Sequence, residues 1–572
     1  MADTATWTVS RYLLARLEQL GLRHLFAVPG DYASPFLLEL EQWPGIRRVA
    51  TIAELGCGYA ADGYGRYAGI AAVSVQYGVG TFSLLNCIAG AYVERVPVAV
   101  IAPSPSAADR RITRREDVLF HHSTGDLSAD RKAFRTVTVA DVAIADGAHA
   151  PARIDAALVA MLTARRPVYI EVEQSAWSLP CAAPAGVLVP RAPDLVAGAQ
   201  AAACAAIVER LASARLPVLW AGVEIQRWGL ADVLQDLVAA SGLPFTTTSL
   251  GKTVLDEAQP AFIGTYAGPA SPALTRAVMA ATDCPVALGT IITDDYLDIV
   301  AQQPAPGSPQ PADYAVMVEA TVDGVRVGWQ HYPDVDFPTL LRDLVTAVRA
   351  DPRFPRCIAL PEVVADPVLP LAEADALSYL ALYQVFGDFI SRELDRERTT
   401  LVLGESTSLY VFGNLAGLPR DGFVAQAAWG SLGHETGCAL GVALASGRRP
   451  WVVAGDGGFR MTCQELSSLA AAGVDAVVLV VANDAYAIEQ AFVDIKAFDP
   501  GGAYAPFDLL PRWDYAALAQ AFGTRGLRAR TVAELRAALV TAAATRGQPV
   551  LIEVVIPASD LPPQLRRLAT TP

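Results

Sequence analysis

The chain has 572 residues, 53% of them hydrophobic and 18% charged, with a formal net charge of −15. That length exceeds a single hydrophobic core and predicts about three domains, while the apolar content excludes bulk disorder. The acidic balance argues against nucleic acid as a partner, and no apolar run approaches the ~18 residues of a membrane span.

Residues 1–8 lack the basic start and apolar core of a signal peptide. The eight cysteines are scattered and form no CxxC pair. Both observations predict a cytoplasmic protein with reduced thiols and no zinc site. In the first segment, apolar strands at 71–75 and 98–102 alternate with helical patterns. Asp31 closes the stretch Phe26-Ala-Val-Pro-Gly-Asp31. Glu54 opens a stretch of small and apolar residues that runs to Arg66, where it reads either as a helix N-terminal acid or as a functional carboxyl. Two of the six histidines, His121 and His122, are adjacent. Adjacent side chains diverge, so on geometry alone they are surface histidines, or at most one faces a site. Groups that titrate near neutrality suit proton relays.

Prolines 180, 184, 190 and 193 mark a linker over 176–196, and five more mark another over 351–372. The middle segment contains a strand at 216–220 and a Pro-rich loop at 304–311. The first and third segments share an ending: an amphipathic helix, then Arg166-Pro-Val-Tyr-Ile-Glu-Val172 in one and Gln548-Pro-Val-Leu-Ile-Glu-Val554 in the other. Coincidence among Ala-rich helices is one explanation, and a duplicated unit with a different one inserted is the other. The predicted class is α/β, with three doubly wound parallel-sheet domains over 1–185, 195–350 and 370–560 and the first and third duplicated. Ligands of such sheets sit at the C-terminal strand ends.

In the third segment, a strand at 451–454 runs into Gly455-Asp-Gly-Gly458, a helix follows from Gln464, and the next strand, 476–482, ends at Asn483. Gly-Asp-Gly alone is equally a plain turn. Asp456 and Asn483 lie 27 residues apart, one strand-helix-strand unit, so both side chains emerge at one sheet edge. A carboxylate and an amide oxygen there are hard ligands suited to Mg²⁺. Gly455, Gly457 and Gly458 allow close backbone approach by a phosphate, and the following helix N-terminus favours an anion.

Taken together, these motifs resemble the thiamine diphosphate-dependent 2-oxo acid decarboxylases, the pyruvate and indolepyruvate decarboxylase family, over nearly the whole chain. The stretches Gly78 to Pro97, Leu403-Gly-Glu-Ser-Thr-Ser-Leu-Tyr410 and Gln426-Ala-Ala-Trp-Gly-Ser-Leu-Gly433 carry the likeness further, as does Thr248 to Lys252 in the middle segment. Thr81 and Arg95 depart from the residues common in that family, and Ala53 and Ala485 stand where it often has Asn and Gly.

The resemblance implies that Glu54 activates the cofactor at its aminopyrimidine ring. It also implies that Asp31, His121, His122 and Glu489 handle protons. The metal would be held by Asp456, Asn483 and the carbonyl of Ala485. Leu432 would lie beneath the cofactor, and the Gly430 carbonyl would hold the cofactor amino group. Thr407 and Ser408 would contact the cofactor, and Leu409, Tyr410 and Ile488 would line the substrate pocket. The implied reaction is non-oxidative decarboxylation of a small 2-oxo acid, aromatic, bulky aliphatic or pyruvate itself, in a homodimer or homotetramer with its site between chains. The alternatives are an acetolactate synthase-like carboligase, disfavoured by the His pair and Glu489, and a non-catalytic cofactor-binding homologue, disfavoured by Glu54 and Asp456.

Overall fold

The computed structural model describes residues 6–193, 195–296 and 316–570; the expected loop at 304–311 lies outside the described residues. Three sheets form along the chain. The first holds β1 (His24–Ala27), β2 (Arg47–Ala50), β3 (Ala71–Ser74), β4 (Val98–Ser104), β5 (Asp141–Ile144) and β6 (Val168–Glu173) in the order 2-1-3-4-6-5, all parallel. The third holds β14 (Thr399–Leu403), β15 (Phe423–Ala425), β16 (Arg449–Gly455), β17 (Val477–Ala482), β18 (Arg525–Ala529) and β19 (Val550–Val555). Its order, β15-β14-β16-β17-β19-β18, repeats that of the first strand for strand, again all parallel. This repeat bears out the duplication, and the two similar sequence endings become the equivalent last helix and strand of each copy.

The second sheet holds β7 (Pro217–Ala221), β8 (Phe245–Thr248), β9 (Phe262–Tyr266), β10 (Cys284–Leu288), β11 (Val318–Thr321), β12 (Gly324–Val327) and β13 (Gln330–Tyr332). Its order is β13-β12-β11-β10-β7-β8-β9. The strands from β9 to β11 are parallel, and β12 and β13 add an antiparallel meander at one edge. The apolar runs read from the sequence are central strands. Every residue of β4 and of β17 is buried, as expected when helices cover both faces of a parallel sheet. No helix or strand forms over 351–372. Among the described residues no helix is long and apolar enough to cross a membrane.

The first and third segments pack through two helices, Glu54–Ala68 and His434–Ser446. Small residues permit the approach: a Cβ on Gly63 or Gly441 would collide with the backbone of Cys438 or Ala60. A buried charge network fills the seam. Arg66 pairs with Asp62 at 2.8 Å and with Glu94 at 2.5 Å, and His434 Nε2 lies 2.7 Å from Asp62. Burial alone would raise the Asp62 carboxyl, but Arg66 and His434 outweigh it and hold it well below the usual range. Cys438 lies close to the Asp62–His434 pair. Because Arg66 binds both Asp62 oxygens, this cluster is an ion-pair network rather than a metal centre. The middle segment is tied to the third by Lys252, whose Nζ reaches Glu257 and the Leu415 carbonyl at 2.6 Å each.

Candidate active site

A cavity of about 180 Å³ opens at the C-terminal ends of β14, β16 and β17. Thr407, Ser408, Gly430, Leu432, Gly455, Asp456, Gly457, Gly458, Asn483, Ala485, Ile488 and Glu489 all line it. The local fold differs from expectation at one point. The helix Asp456–Thr462 begins on Asp456 itself, directly after β16, earlier than the helix expected from Gln464. Gly457 is required there by space, because a Cβ would run into the Tyr486 ring.

Asp456 is buried, and its Oδ2 accepts a hydrogen bond from the Asp484 backbone N–H at 2.8 Å. Burial pushes its carboxyl up to about 6; the Asp484 carboxylate adds to this, while the Asp484 N–H and Arg460 oppose it. The Asn483 side-chain oxygen faces two other oxygens, Asp456 Oδ1 and Ala485 O; with the amide turned over, its nitrogen would donate to each at 3.1 Å. As placed, three oxygens converge. Oxygen ligands around Mg²⁺ at ~2.1 Å stand about 3 Å apart in an octahedron, so the donor set fits a small hard cation. The Ser408 Oγ is buried without a partner and supplies a free polar group on the same wall.

Two residues expected in the substrate pocket do not line this cavity. Leu409 is 3% exposed and packs into the hydrophobic core of the third segment. Tyr410 turns its hydroxyl to Asp295 of the middle segment, 2.7 Å away, while its side chain packs against the small apolar cluster that includes Ile488 and Phe498. Neither lines the cavity; in the helix Thr407–Phe412 the residues that do are Thr407 and Ser408. Sequence reading did not single out Glu405, which lines the same cavity. Burial, then Asp295 and Glu489, push its carboxyl up to about 7, against the Ser406 backbone N–H. It sits inside the recognised Leu403–Tyr410 stretch, where its acidic character was the available signal.

The first segment gathers a second group. Asp31 follows β1, and Gln76 Nε2 donates to its Oδ1 at 2.5 Å. His121 and His122 are exposed on a loop with ring centroids 6.2 Å apart. The His122 ring meets Tyr77 edge-on at 5.8 Å, and the Tyr77 hydroxyl donates to the His121 carbonyl. Glu54 is half-buried at the first position of its helix, and its Oε1 would lie 3.4 Å from a Cβ on Gly80. Among the described residues, no hydrogen bond or ion pair joins Asp31, Glu54, His121 or His122 to Asp456, Asn483 or Glu489 of the same chain. Each group carries exposed apolar neighbours: Ile52 and Val79 in the first segment, Phe507 and Leu509 in the third.

Three family models match the chain: the thiamine pyrophosphate enzyme N-terminal TPP binding domain over 7–133, the central domain over 204–347 and the C-terminal TPP binding domain over 409–554. Proteins named alpha-keto-acid decarboxylase are similar throughout. That of Mycobacterium bovis is 34% identical over 98% of this chain and 96% of its own. That of Mycobacterium leprae is 33% identical over 99% and 95%, and that of Mycolicibacterium paratuberculosis 31% over 98% and 96%. With sheets of matching topology on either side of a central one and a cavity at the strand ends of the third, the chain belongs to the thiamine diphosphate-dependent 2-oxo acid decarboxylase family.

Proposed function

We propose that this chain decarboxylates a 2-oxo acid with an aromatic or bulky aliphatic side chain, releasing the aldehyde, with Mg²⁺ and thiamine diphosphate held between two chains of a homodimer or a dimer of dimers. The observation that carries the reading is the convergence of Asp456, Asn483 and Ala485 oxygens in a cavity also lined by Glu489 and Ile488. Ala485, Ala487 and Ile488 line that cavity with small or apolar side chains, which supports an apolar substrate substituent. The name alpha-keto-acid decarboxylase borne by the relatives supports the substrate class.

Asp456, Asn483 and the Ala485 carbonyl would hold the metal, with Gly455, Gly457, Gly458, Thr407 and the unpartnered Ser408 hydroxyl beside the diphosphate. Gly430 and Leu432 would orient the ring system. Bound thiamine diphosphate supplies an electron sink for the electrons left when CO₂ departs. Glu54 would hold a proton at the pyrimidine ring nitrogen, as a half-buried carboxyl at the first position of its helix. Glu489, with Asp31, His121 and His122, would deliver one proton to the carbon that lost CO₂ and remove one from the hydroxyl as the aldehyde leaves. The separation of the two groups within one chain, with apolar surface around each, supports a site completed by a second copy. All eight cysteines are unpaired, which suits a cytoplasmic setting.

The test is CO₂ release by purified protein with Mg²⁺ and thiamine diphosphate from pyruvate, 2-oxoisovalerate, phenylpyruvate, indolepyruvate and benzoylformate. Stoichiometric aldehyde, fastest from a bulky substrate, is expected. Preference for pyruvate would overturn the substrate assignment. Wild-type turnover by Glu54→Gln would overturn the role of Glu54.

A further inference from the structure

The helix that carries Glu54 begins without a cap of its own. Its N-cap is Ala53, in extended conformation at φ −136° and ψ 157°, which offers no side-chain acceptor. An acid at the third helical position commonly reaches back to the N-cap N–H, but that position here is Gly56. The missing group arrives from elsewhere. Glu465, 1% exposed at the start of the helix Glu465–Ala471, accepts a hydrogen bond from Ala53 N at 3.2 Å through Oε1. Its Oε2 accepts from Ser468 Oγ at 2.6 Å, which fixes the carboxylate. The Glu465 side chain occupies the space a side chain on Gly56 would need: a Cβ there would collide with its carboxyl group. Gly56 and Glu465 are therefore complementary, one vacating the volume that the other fills.

We propose that Glu465 is the positioning residue of Glu54: it supplies, from the third segment of the same chain, the cap that fixes where the Glu54 helix starts and so where that carboxylate stands. The inference rests on the reading of Glu54 given above. Glu54 is the residue immediately after the capped one, so a slip at the helix start moves it directly. Displacement of a reacting group by about 1 Å can cost ~100-fold in turnover.

Four variants test this: Glu465→Ala, Gly56→Ala, Glu465→Gln and, as control, Glu54→Gln. Three readouts are taken: hydrogen exchange at the Ala53 amide, kcat and KM for the 2-oxo acid, and the near-ultraviolet circular dichroism of bound thiamine diphosphate. Glu465→Ala frees the Ala53 amide. Gly56→Ala expels the Glu465 side chain and should do the same, although alanine is the better helix former and a purely structural role predicts no loss. Both should show faster exchange at Ala53, at least tenfold lower kcat with KM little changed, and an altered cofactor dichroism band. Glu465→Gln keeps a carbonyl oxygen for Ala53 and should restore all three readouts. If Glu54→Gln is inactive while Glu465→Ala and Gly56→Ala keep wild-type kcat, the positioning role is overturned and the reading of Glu54 stands. If Glu54→Gln itself turns over normally, that reading falls, and this inference with it.

Discussion

The Oδ2 atom of Asp456 lies 2.8 Å from the backbone nitrogen of Asp484, so the residue that follows β16 is latched to the turn that follows β17. One carboxylate oxygen is thereby spent on the fold, and the other, Oδ1, is left facing the Asn483 side chain, which also faces the Ala485 carbonyl. Asp456→Asn should keep the latch, since an amide oxygen still accepts, and lose the charge that attracts a cation. We expect Mg²⁺-dependent binding of thiamine diphosphate to weaken ~100-fold or more, read by calorimetric titration. The melting temperature of the cofactor-free protein should not fall, because the lost charge is buried and, among the described residues, makes no ion pair, with only the longer-range pull of Arg460 to offset its burial. Equal cofactor affinity in the variant and the wild type would remove Asp456 from the metal site.

A site split between chains has a signature that no single-chain site can imitate. Glu54→Gln and Asp456→Asn should each be inactive alone. Co-expressed, they form mixed dimers in which one site takes Glu54 from one chain and Asp456 from the other, both intact, while the second site carries both defects. Random pairing makes half of the dimers mixed, so about one quarter of wild-type activity should return. Absence of any recovery, with mixed dimers demonstrated by mass, would show that Glu54 and Asp456 act within the same chain.

Much of this was legible in the sequence where the signal is periodic or local. Runs such as those of β4 and β17 could only be strands covered on both faces, and the spacing of Asp456 and Asn483 placed both at one sheet edge. Two local readings met tertiary competition. Gly-Asp-Gly-Gly has turn propensity, yet it starts a helix, in which the missing side chain of Gly457 makes room for the Tyr486 ring. Leu409 and Tyr410 sit in a recognisable stretch, but which residues of a six-residue helix face a cavity depends on what packs against it, here the core and Asp295. Glu465 was invisible for a different reason. An acid at a helix start looks ordinary, and its partner Ala53 is 412 residues away. The antiparallel edge of the second sheet was equally hidden, since β11, β12 and β13 are short and follow the undescribed stretch 297–315.

Glu435, in the first turn of the helix His434–Ser446, offers a test of stability against pH. It is 1% exposed, and among the described residues neither carboxylate oxygen makes a hydrogen bond of ordinary geometry, although the backbone N–H groups of Glu435 and Gly433 lie near. It lies against Gly404 and against Gly458, which lines the cavity. Burial, with the Glu405 carboxylate adding, pushes it from 4.5 up to about 7, against the backbone N–H groups of Glu435 and Gly433. The sign follows from proton binding. Between pH 4.5 and 7 the folded chain keeps this proton while the unfolded chain releases it, so stability falls as pH rises through that window and stays low above it. The full difference corresponds to about 3 kcal/mol. Glu435→Gln removes the titration. The variant should therefore melt at a higher temperature than the wild type at pH 8, with the gap closing as pH falls towards 4.5, in cofactor-free protein by scanning calorimetry. A gap of constant size across that range would mean that Glu435 is ionised in the folded chain throughout and has a partner after all.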